Sequence, residues 1–120
     1  MKKLAVIMLI VFSMALVAIA ADKGPETINL AEKWGLETKK SPVIFDHAKH
    51  QQNNTCTDCH ATAEGGALVS GGKTFDPKAM VASGELKKGG TKNDVHDELC
   101  WKCHKEKKVP KGKSCKTCHE

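Results

Sequence analysis

The chain has 120 residues, a formal net charge of +5, 28% charged and 4% aromatic side chains, six cysteines and no tyrosine. That length suits one domain. The positive charge is carried by lysine alone, without arginine, so the planar fork that usually builds phosphate and base recognition is missing and no nucleic-acid partner is expected.

The opening "MKKLAVIMLIVFSMALVAIA" joins two lysines, an unbroken apolar run and an A-x-A ending at Ala18 and Ala20. It reads as a signal peptide over residues 1–20, cleaved near Ala20/Ala21, with an uncleaved anchor as the competing reading. Cleavage leaves a domain of residues 21–120 with 17 lysines against 14 acids and no membrane insertion. Only seventeen bulky apolar residues follow Ala21. At about 25 cal/mol per Å² they would struggle to offset roughly 1.5 kcal/mol of ordering entropy per residue. Either something other than side chains fills the interior or the chain is disordered, and the six cysteines speak against disorder.

In chain order, the apolar stretches Ile28–Leu30 and Val43–Phe45 are expected to pair as a short two-stranded β-ribbon. His47 and His50, three apart, share one face of a helical turn, with Phe45 expected to pack against a cofactor nearby. The polar "QQNNT" then turns the chain back. Residues 61–95 form a long glycine-punctuated connector, expected to be surface loop with one helix capped by Asp76, begun at Pro77 and stopped by Gly84. "NDVHDELCWKCHK", residues 93–105, reads as a helix with Asn93 or Asp94 at its start.

All six cysteines fall in three copies of C-x-x-C-H: Cys56, Cys59, His60; Cys100, Cys103, His104; Cys115, Cys118, His119. Disulfides or zinc would use the cysteines but leave unexplained the histidine that closes every pair. Covalent attachment of three c-type haems explains it: two thioethers clamp the porphyrin and the next imidazole meets the iron as proximal ligand. Three irons need six axial ligands, and His47, His50 and His96 are the only histidines left. They are assigned as distal ligands, giving bis-histidine ligation throughout. Met80, the one methionine beyond the leader, is expected to pack instead of ligate. His96 lies about 12 Å along the helix from His104, too far to serve the same iron, so it is assigned to the haem of Cys115 and Cys118. The turn at "QQNNT" lets His47 serve the haem of Cys56 and Cys59, which leaves His50 for that of Cys100 and Cys103. The fold class expected is a small multihaem cytochrome, mostly α and irregular with the β-ribbon, wrapped around three covalently bound haems.

The succession "VIFDHAKH", C-x-x-C-H, a histidine four residues before the next C-x-x-C-H, and a closing C-x-x-C-H resembles the triheme cytochrome c7 group of the class III cytochromes c, over roughly Val43 to His119. The resemblance implies low-potential haems in a periplasmic electron carrier of anaerobic respiration. The long connector and the long arm before Val43 depart from compact triheme members, and the additional attachment motif of tetrahaem relatives is missing.

With every axial position filled and no methionine ligand, the expectation is an electron carrier of low potential and no enzyme. A haem reductase or peroxidase-like enzyme with one labile distal histidine is the alternative. Lys102, Lys105, Lys107, Lys108, Lys111, Lys113 and Lys116, opposed only by Glu106, are either a solvated face or a patch from Lys102 to Lys116 that steers an acidic redox protein to a monomeric carrier.

Overall fold

The computed structural model describes residues 23–120. The leader of residues 1–20 and its cleavage near Ala20/Ala21 lie outside the described residues. Strand β1 (Thr27–Asn29) runs straight into helix α1 (Leu30–Trp34). Asn29 caps that helix by accepting from the Glu32 N–H at 3.2 Å, and Gly35 ends it at φ 70°. Strand β2 (Ile44–Asp46) returns antiparallel to β1, with Ile28 opposite Phe45, so the expected ribbon is present.

Asp46 then caps helix α2 (His47–Asn53), its carboxylate accepting from the Lys49 N–H at 2.8 Å. A single 3-10 turn, Cys56–Asp58, follows. Three strands come next, β3 (His60–Thr62), β4 (Gly65–Ser70) and β5 (Lys73–Phe75), antiparallel in the order β3-β4-β5. Helix α3 (Pro77–Ala82) has Asp76 as its cap and Pro77 in its first turn, as the sequence predicts. A π-helical stretch, Val95–Cys100, leads into α4 (Trp101–Glu106), and α5 (Cys115–Cys118) closes the chain.

The connector is not the surface loop expected of it. Phe75, Met80, Leu86 and Val95 are its buried apolar residues, Phe75 at 3% exposure. Trp34, Leu36, Leu68, Val81, Leu99 and Cys100 pack around them. The reason is spacing: β5 delivers Phe75 inward, α3 delivers Met80 one turn later, and both meet the first turn of the π-helical stretch at Val95. Glycines at 65, 66, 71 and 72, all with positive φ, diluted the alternating signal by which β4 would have been recognised. Met80 packs in this cluster, where the sequence placed it.

The sheet also ties two parts of the chain together. Val69 N–H donates to the Cys59 carbonyl at 2.9 Å, so β4 grips the first C-x-x-C-H. At its far end Ser70 Oγ donates to the Glu98 carbonyl at 2.7 Å, and Lys73 pairs with Asp94. Among the described residues no helix is long and apolar enough to cross a membrane.

Candidate haem site

The three C-x-x-C-H motifs adopt helical turns of different kinds. Cys56 and Cys59 bracket the 3-10 turn, with Cys59 N–H donating to the Cys56 carbonyl at 3.2 Å. Cys100 and Cys103 straddle the junction of the π-helical stretch and α4. Cys115 and Cys118 bound α5, where His119 N–H donates to the Cys115 carbonyl at 2.8 Å. No two of the six cysteines are joined as a disulfide.

The thiols of Cys59, Cys100 and Cys118 are not poised as nucleophiles. Burial pushes the Cys100 thiol up to about 12, and the neighbouring thiols of Cys118, Cys103 and Cys59 add to the rise. Burial also raises Cys59 and Cys118. A free thiol at such sites stays protonated at neutral pH.

The six histidines, all half-buried, meet in three pairs. His47 and His60 have ring centroids 6.3 Å apart with planes at 85°. His50 and His104 are 6.1 Å apart at 18°. His96 and His119 are 6.3 Å apart at 59°. Every pair joins one motif histidine to one of the three others, and the two members come from distant stretches of chain. Phe45 lies beside two of them, 4.2 Å from the His50 ring centroid and 6.1 Å from that of His47.

In every ring Nδ1 lies against a backbone carbonyl. His47 meets Pro25 at 2.9 Å and His50 meets Asp46 at 2.7 Å. His60 meets Gly66 at 3.1 Å and His96 meets Thr91 at 3.0 Å. His104 meets Gly112 at 2.7 Å and His119 meets Ser41 at 2.7 Å. A carbonyl can only accept, so each Nδ1 is the protonated nitrogen and each Nε2 keeps its lone pair. That is the arrangement by which an outer hydrogen bond fixes the tautomer and raises the basicity of a metal-ligating imidazole.

These residues fit haem. First-row metals bind imidazole nitrogen at about 2 Å, and Nε2 lies about 1.1 Å from the ring centre. Two imidazoles on opposite sides of one ion therefore have centres about 6.3 Å apart. The three observed separations match that span. Among the described residues no cluster of three or more His, Cys, Asp or Glu side chains is placed to hold a metal ion by itself. The donors come as facing pairs, which suits a planar ligand that supplies the remaining coordination and does not suit tetrahedral zinc.

The profile of the Class III cytochrome C family matches residues 25–120. The chain belongs to that family, whose members bind haem c and are electron carriers, not enzymes. Searches of curated proteins and of solved structures gave no match.

Sequence reasoning named Asn93 as a helix-cap candidate, and its Oδ1 does accept the His96 N–H, but it did not find the six carbonyl acceptors or the contact between Trp101 and His96. A weak signal was present. Five of the six acceptors adjoin or are a glycine or proline, in "GP", "SP", "GG", "GT" and "KG", the residues that let a chain turn its carbonyl toward a neighbouring ring.

Proposed function

We propose that the protein is a triheme carrier of the cytochrome c7 type, exported to the periplasm and passing electrons at low potential between redox proteins in anaerobic respiration. Cys56 and Cys59, Cys100 and Cys103, and Cys115 and Cys118 hold one haem c each. His60, His104 and His119 are the proximal ligands, and His47, His50 and His96 are the respective distal ligands of the first, second and third sites by the order His47 with His60, His50 with His104, His96 with His119. The observation that carries this is the set of three histidine pairs at metal-bridging separation, each ring with Nδ1 committed to a carbonyl. When bound, haem supplies a one-electron iron couple.

The chain's own part is to orient the six imidazoles that would hold the irons, so that a substrate would find no open site, and to set the electrostatics. Imidazoles whose Nδ1–H bonds to a carbonyl would donate strongly to such an iron and favour its oxidised state, which would hold the potential low. Lys105, Lys107, Lys108, Lys111, Lys113 and Lys116 are exposed and lie close in sequence to the turn that holds Cys115. That patch, together with Lys102, is suited to steer an acidic redox protein.

A pyridine haemochrome assay on the purified mature protein tests the proposal, together with a low-temperature spectrum and a redox titration. The expected result is three haems per chain, all low-spin, with midpoints well below those of methionine-ligated haem. Fewer than three haems, or a high-spin fraction in the untreated protein, overturns it.

A further inference from the structure

His96 and Trp101 are five residues apart. On an α-helix with 3.6 residues per turn, that step overshoots one revolution by about 140° and puts the side chains on opposite flanks. Val95–Cys100 is instead π-helical, and Trp101 N–H bonds the His96 carbonyl. At about 4.4 residues per turn the same step overshoots by only about 50°. The wide turn lays the indole on the imidazole, with centroids 5.0 Å apart and planes 27° from parallel.

The backbone of His96 is held as well. Asn93 is buried, its Oδ1 accepts the His96 backbone N–H at 3.0 Å, and its Nδ2 donates to the Gly90 carbonyl at 3.0 Å. His96 is thus anchored at its backbone by a side-chain amide, at its Nδ1–H by the Thr91 carbonyl, and on its ring face by an indole. Lys113 places its ammonium 5.4 Å from the Trp101 ring centroid, which adds a cation–π contact to the stack.

Trp101 lies between Cys100 and Cys103, inside the second attachment motif, whereas the ring it touches faces His119, which follows the third. We infer that Trp101 is a positioning residue for the third iron site: from within the second attachment turn it fixes the plane of the His96 imidazole, so that two attachment motifs share one rigid stack. The inference rests on the triheme reading above. The angle between two axial imidazole planes controls the splitting of the iron d orbitals, so the stack governs the electron paramagnetic resonance of that one iron and biases its potential.

The test uses the haem-loaded protein with Trp101→Leu and Trp101→Phe. Haem stoichiometry of the wild type is measured first, and a value below three overturns the triheme reading itself and this inference with it. With three haems in place, Trp101→Leu is expected to shift one of the three low-spin resonance signals and the midpoint of the same haem. Trp101→Phe, which keeps an aromatic face, is expected to restore both toward wild type. Three unchanged signals in Trp101→Leu, or three that move together, overturn the inference while leaving the triheme reading intact. If Trp101→Leu does not accumulate, nuclear Overhauser contacts in the reduced wild type decide. Contacts between the indole protons and the His96 ring support the inference, and their absence overturns it.

Discussion

His104 Nδ1 donates to the carbonyl of Gly112, eight residues further on, at 2.7 Å. The loop that brings them together is tight: Val109 N–H returns to the His104 carbonyl at 2.9 Å, and Gly112 is buried. A Cβ at position 112 would sit 2.7 Å from His104 Nδ1 and 2.9 Å from its Cβ. Gly112→Ala must therefore displace either the loop or the ring, at a cost of about 1–3 kcal/mol by the usual scale of overpacking. The expected outcome is a lower thermal midpoint together with a shifted midpoint potential for one haem. An alanine variant indistinguishable from wild type in both would show that the contact is slack.

Removing a distal imidazole should open one iron and no more. In His47→Ala the cysteines still hold their haem, so stoichiometry stays at three, while the reduced protein gains carbon monoxide binding at one haem. Wild type is expected to bind none. Optical titration of the two proteins side by side checks this, and binding by wild type would contradict full histidine ligation.

The cluster of Phe75, Met80, Leu86 and Val95 predicts a stability effect separable from haem content. Phe75→Ala is expected to cost about 3–5 kcal/mol, and Leu86→Ala about 2–5 kcal/mol, from lost burial and the cavity left behind. Denaturant unfolding measures the loss, and haem per chain should not change because no ligand or attachment residue is touched. A loss under about 0.5 kcal/mol, the scale of ordinary surface substitutions, would mean that the cluster does not hold the connector.

Lys108 and Lys111 adopt φ of 53° and 55°, left-handed values that cost a side-chain-bearing residue about 1–2 kcal/mol. Glycine relieves that strain, although it also enlarges the freedom of the unfolded chain. Lys108→Gly and Lys111→Gly are expected to leave stability equal or slightly raised. The same variants should slow association with an acidic redox partner and flatten its dependence on salt. Stopped-flow kinetics at two ionic strengths reads the effect, and unchanged rates would remove these two lysines from the docking face.

The hydrogen bond that Lys73 donates to the Asp94 carboxylate raises the lysine's pKa above its usual 10.5. A raised folded-state value means that the pair stabilises the protein fully below pH 10.5 and loses that contribution as pH rises through the folded value. Lys73→Met should thus be less stable than wild type at pH 7, by an increment that shrinks with added salt because the pair is exposed. As pH rises through the raised folded-state value the two stability curves should converge. Unfolding followed by circular dichroism across that range tests it, and a gap that persists at high pH would point to packing instead of charge.

Haem c binding was legible because it is written in consecutive residues: the C-x-x-C-H motifs announce a haem c protein without any knowledge of the fold, and membership of the class III cytochrome family bears that out. The β-ribbon and α3 were legible for the same local reason, the first from two apolar triplets and the second from Asp76, Pro77 and Gly84. The sheet of β3, β4 and β5 was not, since glycines occupy the positions where alternation would show. The π-helical stretch was also hidden. "NDVHDELC" has the caps and charges of an ordinary helix, and only the Trp101 N–H bond to the His96 carbonyl and the packing of Trp101 on His96 reveal the widened turn. Long-range pairs such as His119 with Ser41, 78 residues apart, leave no trace in a linear pattern.

All six partners of the imidazole Nδ1 atoms are peptide oxygens, and a peptide oxygen is common to every amino acid. No single substitution deletes one; it can be lost only by rerouting the main chain. The electronic character these imidazoles would have as ligands is consequently inscribed in the path of the polypeptide, not in the identity of its flanking residues, and sequences around such histidines are free to drift as long as the turns survive. Anyone wishing to retune one centre by engineering will find the levers in loop length and glycine placement, at Gly24, Gly66, Gly90 and Gly112, sooner than in the exchange of polar side chains.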